Sequence, residues 1–278
     1  TAYEISLGLV GSEMCIRDSS EAVSFDNGYE LINTMGSMME KKLVGGQLIY
    51  PIVNEDWIID KKIKQKVFDE INKVKAFVSI NLGGYVVVGG SEESLKNLLK
   101  RLPPIENYPL QIPYHGAFHT PLMHEISSKG FDKIPKSFFL KPSIPIIDGR
   151  GYVWSPYGTD SLKLYKYTIG SQVTESYSFT KSITTALKEF CPDHVVLLGP
   201  GNSLGGPVAQ ILINQQWNGL KSKEDFISTQ KNNPFVSSLY LPLNISRIFF
   251  FNEYSVVWKT NLYFWLDFWD LCWLNFGF

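Results

Sequence analysis

The chain is poor in the residues that most often announce a function. Three cysteines in 278 residues, Cys15, Cys191 and Cys272, are far apart and odd in number. They build neither a disulfide framework nor a Cys-x-x-Cys metal pair, which points to a reducing compartment, the cytoplasm or an organellar matrix or stroma. Four histidines and no clustered cysteine predict no structural metal. Charge is scarce as well: 19% of residues are charged and the net charge is −1. That balance leaves no electrostatic footprint for nucleic acid. The one basic run, Lys61-Lys62-Ile63-Lys64-Gln65-Lys66, is interrupted by Ile63 and reads as the wet face of a helix. No stretch of 18 uncharged apolar residues is present, so no segment is expected to span a membrane.

The two ends differ from the middle. Residues 1–20 have no basic run before an apolar core and are not a signal peptide. Their "SLGLVGSEMCIRD" resembles translated sequencing adapter, and they are set aside as a non-native leader. Residues 246–278 read as a tail outside the fold: 13 of the 30 residues from Phe249 to Phe278 are aromatic, yet no helical or alternating period organises them. Translation past a frameshift accounts for this composition, with an interfacial amphipathic segment as the alternative.

What lies between has 3.6-residue and two-residue periods in alternation. Residues 27–42 carry Leu31, Ile32, Met35, Met38 and Met39 on one helical stripe, with Asp26 as the expected N-cap. Then come strand 47–53, helix 60–74, strands 76–81 and 84–89, helix 92–101 and strand 108–113. This is the β-α-β-β-α-β order of a ferredoxin-like subdomain, here residues 46–115, with Leu82-Gly83-Gly84 at the hairpin. Residues 21–45 and 116–245 form an α/β body around it. The body has a strand at 144–148, a helix at 179–190, a strand at 194–198 and a helix at 207–216, an alternation that implies a parallel sheet.

Chemistry concentrates in "YHGAFHTPLMHEIS", residues 114–127, which holds three of the four histidines. Imidazole is the side chain best suited to move a proton at neutral pH, and a neutral ring can activate a hydroxyl. A lone loop histidine, however, is more often a packing residue. "GAFHTPLM" resembles the active-site histidine motif of acyl-carrier-protein malonyltransferases and of the acyltransferase domains of polyketide synthases, with Thr120 where that family carries Ser. "INLGGYVVVGG" resembles the family's hairpin and "VVLLGPGNSLGG" its glycine loop, so the resemblance runs over roughly residues 22–215.

The resemblance implies an α/β-hydrolase-like body with an inserted ferredoxin-like subdomain. It implies transfer of a short acyl group, malonyl or acetyl-like, from coenzyme A to the phosphopantetheine thiol of acyl carrier protein. Acyl-CoA is then a substrate, and no cofactor or metal is required. His119 is the implied base, held by a backbone carbonyl of the loop Gly199, Gly201 and Asn202. Asn81 lies near the site, Phe118 narrows the acyl pocket, and Met35 stands where malonyl-specific members carry an Arg. A thioether cannot replace a bidentate Arg–carboxylate pair, so an uncharged acyl group is expected to be accepted. The family's serine elbow precedes helix 27–42, so the nucleophile is expected to be missing and the chain to be a truncated acyltransferase.

Two other readings stay open. Gly201-Asn202-Ser203-Leu204-Gly205 matches the nucleophile-elbow pattern between a strand and a helix, which would make Ser203 with His119 a serine hydrolase. A plain strand-to-helix turn explains the same residues. The chain would alternatively be a non-catalytic relic or carrier-protein-binding module. His115 is expected to line the entrance, His124 to be solvated in a first helical turn, His194 to be structural and Cys191 to be packed. Asp148 and Asp193 are candidate partners for a histidine.

Overall fold

A computed structural model describes residues 20–238, apart from Leu43, Tyr114 and residues 198–202. The first helix, Phe25–Lys41 (α1), buries the predicted stripe of Leu31, Ile32, Met35, Met38 and Met39. Burying five such side chains is worth on the order of 10 kcal/mol before entropy is charged against it. Its cap is Ser24 rather than Asp26: the Ser24 hydroxyl accepts from the Asn27 amide, and Asp26 falls in the first turn.

Gly46–Pro51 (β1) follows, then Lys61–Lys73 (α2), Phe77–Leu82 (β2), Tyr85–Gly90 (β3), Glu92–Arg101 (α3) and Leu110–Ile112 (β4). Both helices start on side-chain caps, Asp60 accepting from the Lys62 and Ile63 amides and Ser91 from the Ser94 amide. The strands lie in the order β4-β1-β3-β2, all antiparallel, the arrangement of a ferredoxin-like unit. Helices α2 and α3 cover one face through Val67, Ile71, Leu95 and Leu98. Gly83 turns the β2–β3 hairpin with φ +61°, and a Cβ there would lie 2.5 Å from the Pro207 carbonyl oxygen. Only glycine fits that position.

A 3₁₀ turn at Pro121–Met123 opens into His124–Lys133 (α4). Ile146–Ile147 (β5), expected to join a parallel sheet, pairs antiparallel with Val153–Trp154 (β6) in a separate hairpin. The buried Asp148 sets that hairpin. Its carboxylate accepts from the Arg150 and Tyr152 amides, the Trp154 indole and, through two donors, the Arg150 guanidinium. Ser161–Lys166 (α5) runs through a π-helical stretch, Tyr167–Ser171, into Gln172–Thr174 (α6). Tyr177–Ser178 (β7) then adds in parallel to the free edge of β2 and joins the two parts of the molecule in one sheet.

Phe179–Phe190 (α7) has the predicted bounds. Val195–Leu197 (β8) pairs in parallel with Val236–Ser238 (β9). Gly205–Asn214 (α8) and Lys223–Asn232 (α9) lie between them in sequence. Helix α8 is buried on nearly all sides and packs with α7, β2 and β3 in one apolar cluster.

Ser20 corrects the boundary drawn at the leader. It is fully buried, and its carbonyl accepts from the Ser143 amide at 2.6 Å; Val23 bridges Phe139 beside it. Residue 20 is therefore part of the packed body. Residues 1–19 and the aromatic tail lie outside the described residues.

Candidate active site

His119 sits between β4 and the 3₁₀ turn at Pro121. Its backbone is left-handed, φ +53°, at a cost of order 1–3 kcal/mol for a residue with a Cβ. The surroundings hold it there. The Thr120 hydroxyl donates back to the Ala117 carbonyl at 2.5 Å and ties residues 117–120 together. The Thr120 methyl lies 2.7 Å from where a Cβ on Gly89 would be, so β3 must carry glycine for the loop to approach it. The Ala117 amide donates to the Val44 carbonyl at 2.7 Å, which ties the loop to the end of α1.

The His119 side chain is 8% exposed, and its ring lies 5.5 Å from that of Tyr177, centroid to centroid. Its Nδ1 is 2.5 Å from the Gln172 carbonyl oxygen. A carbonyl only accepts, so Nδ1 carries the proton and the neutral ring presents its lone pair at Nε2. Gln172 supplies this acceptor because the helix stops two residues later, at Thr174. The last four carbonyls of a helix have no partner within it. The π-helical stretch just before Gln172 is the kind of irregularity often found beside functional sites.

Gln172 was not singled out by sequence. A backbone carbonyl has no side-chain signature; the only signal was a polar residue, 5% exposed in the fold, near a helix end. An orienting carbonyl is expected from the glycine loop; among the described residues the carbonyl on Nδ1 is that of Gln172. Gly199, Gly201 and Asn202 lie outside the described residues. Ser203 is half-buried in the turn that leads into α8.

Phe118 is half-buried and packs on the apolar cluster that contains Met35, Met38, Met123 and Ile169. Met35 is 2% exposed, with its sulfur 3.0 Å from where a Cβ on Gly130 would stand. Asn81 is half-buried on β2, paired with Ser178 of β7 and next in register to the Tyr177 that stacks on His119. Asn81 is thus next in register to Tyr177, and Met35 lies in the apolar cluster on which Phe118, the neighbour of His119, packs.

The remaining candidates separate from the site. Asp148 is committed to Arg150 and the β5–β6 hairpin, and Asp193 is exposed. His194 bonds the Ser237 hydroxyl at 2.8 Å across β8–β9, and burial lowers its pKa below 6.5. His124 is exposed in the first turn of α4. Cys191 corrects an expectation: it is exposed, because it occupies the left-handed C-cap of α7 at φ +46° and so faces outward. His115 is buried, not at an entrance, and bonds Gln47. A cavity of about 730 Å³ lies beside the helix that carries Gln172, lined by Arg150, Lys163, Lys166, Tyr167 and Ser171. Among the described residues no group of three His, Cys, Asp or Glu could hold a metal ion, and no helix is long and apolar enough to cross a membrane.

No family model matches the chain. The sequence is similar to the polyketide biosynthesis malonyl CoA-acyl carrier protein transacylase PksC of Bacillus subtilis (strain 168). Identity is 23% over 197 residues, 69% of this chain and 64% of that protein. The chain therefore spans a little under two thirds of the length of this curated relative. Among solved structures, the Synechocystis sp. PCC 6803 malonyl-CoA:ACP transacylase aligns with TM-score 0.62 and 15% identity, over 73% of this chain and 64% of that one. An acyl carrier protein S-malonyltransferase from Vibrio cholerae aligns with TM-score 0.61 and 16% identity, over 87% and 70%. The acyltransferase domain from the second module of the salinomycin polyketide synthase aligns with TM-score 0.57 and 18% identity, over 81% and 46%. The chain has the fold shared by malonyl-CoA:acyl-carrier-protein transacylases and polyketide synthase acyltransferase domains, an α/β body with a ferredoxin-like subdomain.

Proposed function

We propose that this chain carries the base-bearing part of an acyltransferase that moves a short acyl group from coenzyme A to the phosphopantetheine thiol of an acyl carrier protein. The observation that supports this most is His119, buried and held by a backbone carbonyl so that Nε2 is the basic nitrogen. A serine hydroxyl gives its proton to Nε2 as its oxygen attacks the thioester carbonyl. The tetrahedral oxyanion is met by backbone N–H donors and then collapses, and coenzyme A leaves as a thiol carrying the proton returned by His119. The carrier thiol then gives its proton to His119 and attacks the serine ester; the acyl group leaves as a thioester on the carrier protein, and the serine oxygen takes the proton back from His119. The Gln172 carbonyl stabilises the imidazolium at each stage, much as a triad carboxylate does. Met35, Phe118 and Asn81 border the acyl group in this reading. No metal takes part.

In this reading the attacking serine belongs to an elbow that precedes α1, and no described residue is assigned that role. By itself the chain is then expected neither to self-acylate nor to transfer. Joined to an upstream segment that carries an elbow serine, it should form a serine-linked acyl intermediate visible by intact mass. There His119→Ala should abolish acylation, a loss of several orders of magnitude, and Ser203→Ala should leave most of it. Acyl label on Ser203 of the chain alone would establish the hydrolase reading instead.

A further inference from the structure

A second histidine is buried four residues before His119 and is not used by the reaction above. His115 is 3% exposed, and its Nδ1 lies 2.6 Å from Oε1 of Gln47 on β1. The Gln47 Nε2 donates to the Ser79 hydroxyl on β2 at 2.7 Å. The Ser79 hydroxyl donates to the Phe118 carbonyl at 2.8 Å. Gln47 and Ser79 are fully buried.

The direction of every link follows from the last. Phe118 offers a carbonyl, which only accepts, so the single Ser79 hydrogen points there. Ser79 must then accept from the Gln47 amide nitrogen. Gln47 consequently turns its oxygen to His115, and His115 carries its proton on Nδ1. Ser79 stands where the β2–β3 register shifts, between Val78 and Ile80. Such an irregularity re-aims a side chain out of the regular alternation. His115 also meets the Phe118 ring edge-on, centroids 5.7 Å apart at 71°. Phe118 is thus held at its ring by His115 and at its carbonyl by Ser79.

The peptide bond that begins with this carbonyl ends at the His119 nitrogen, and His119 is the residue in the left-handed conformation. We propose that His115, Gln47 and Ser79 form a positioning relay that locks the Phe118–His119 peptide and so sets the orientation of the His119 ring. The three act through Phe118 and are positioning residues. The relay deepens the acyl-transfer reading and rests on it for His119 being the base, but it can be tested without turnover.

The test is nitrogen-15 NMR of the histidine imidazoles in the full chain. In the unmodified protein both His115 and His119 should appear as the Nδ1–H tautomer. A His115 ring protonated on Nε2 with Nδ1 bare would overturn the relay, whatever any variant does. Ser79→Ala removes the central hydroxyl, and Gln47→Glu removes the donor to Ser79 at nearly constant shape. In each, the proton affinity of His119 should change by about threefold or more, a half-unit displacement of its titration midpoint. Ser79→Thr, which keeps the hydroxyl, should restore it. The His194 signal, on a remote strand pair, serves as the control for an intact fold. An unmoved His119 titration in a folded Ser79→Ala protein would refute the proposal. If the relay holds and acyl transfer by the reconstituted enzyme does not occur, only the functional reading fails.

Discussion

Replacing Met35 by arginine tests both the packing of α1 and the proposal that this side chain borders an acyl site. Met35 is 2% exposed on α1, in a cluster with Met38, Met123, Ile126 and Ile169. The Met35 sulfur stands close to Gly130 of α4. The residues of this cluster offer no carboxylate to an arginine placed here. A buried charge left without a partner costs about 3–5 kcal/mol. For a body of this size each kcal/mol lowers Tm by roughly 2–4 °C, so Met35→Arg should melt about 6–20 °C lower than the unmodified chain. Met35→Leu conserves volume and polarity and should cost under about 1.5 kcal/mol. If the side chain borders the acyl site, malonate or malonyl-CoA supplies the missing counter-charge. Saturation at about 100 times Kd returns roughly 2.7 kcal/mol to the arginine variant, and acetyl-CoA returns much less. In an enzyme reconstituted with its elbow segment, the same substitution should move the kcat/KM ratio towards malonyl. The assay is a thermal melt with and without each ligand. A Met35→Arg protein that melts unchanged, or that malonate does not stabilise, would refute the assignment of Met35 to the acyl pocket.

Further outcomes follow from single positions. Gly83→Ala places a Cβ against the Pro207 backbone at positive φ; it should cost roughly 2–4 kcal/mol, read as a lower urea midpoint at unchanged m. Asp148→Ala strips the acceptor from two backbone amides, an indole and a guanidinium and should cost about 3–5 kcal/mol, with Asp148→Asn between it and the unmodified chain because an amide oxygen can still accept. His194 has its pKa lowered by burial, so the unfolded chain binds its proton more readily than the folded one. Stability from this residue is complete above the unfolded value of 6.5 and is lost as pH falls below it towards the folded value. His194→Gln should flatten the slope of stability against pH between 5 and 7, measured by denaturant titration.

Much of the architecture was written in local patterns. Helix α7 and helix α3 have the bounds read from their apolar spacing, since a helix with one buried face repeats its core residues every three to four positions. The β-α-β-β-α-β order was readable for the same reason, with Gly83 marking the hairpin. The phrase around His119 named the residue and, through a resemblance, the family fold. Three things were decided only by the tertiary structure. The first is the acceptor for His119: Gln172 lies 53 residues away and acts through its backbone, which every residue type possesses, so no letter in the sequence marks it. The second is the fate of β5, which pairs with β6 because the Asp148 carboxylate gathers the amides and side chains of residues 150–154 into a hairpin, whatever strand propensity the segment has. The third is the role of His115. It was expected to line an entrance, but two strands bring Gln47 and Ser79, 32 residues apart in the chain, beneath it. A hydrogen-bonded chain of side chains from three segments exists only when the sheet has formed, because its geometry is set by strand register rather than by sequence neighbours.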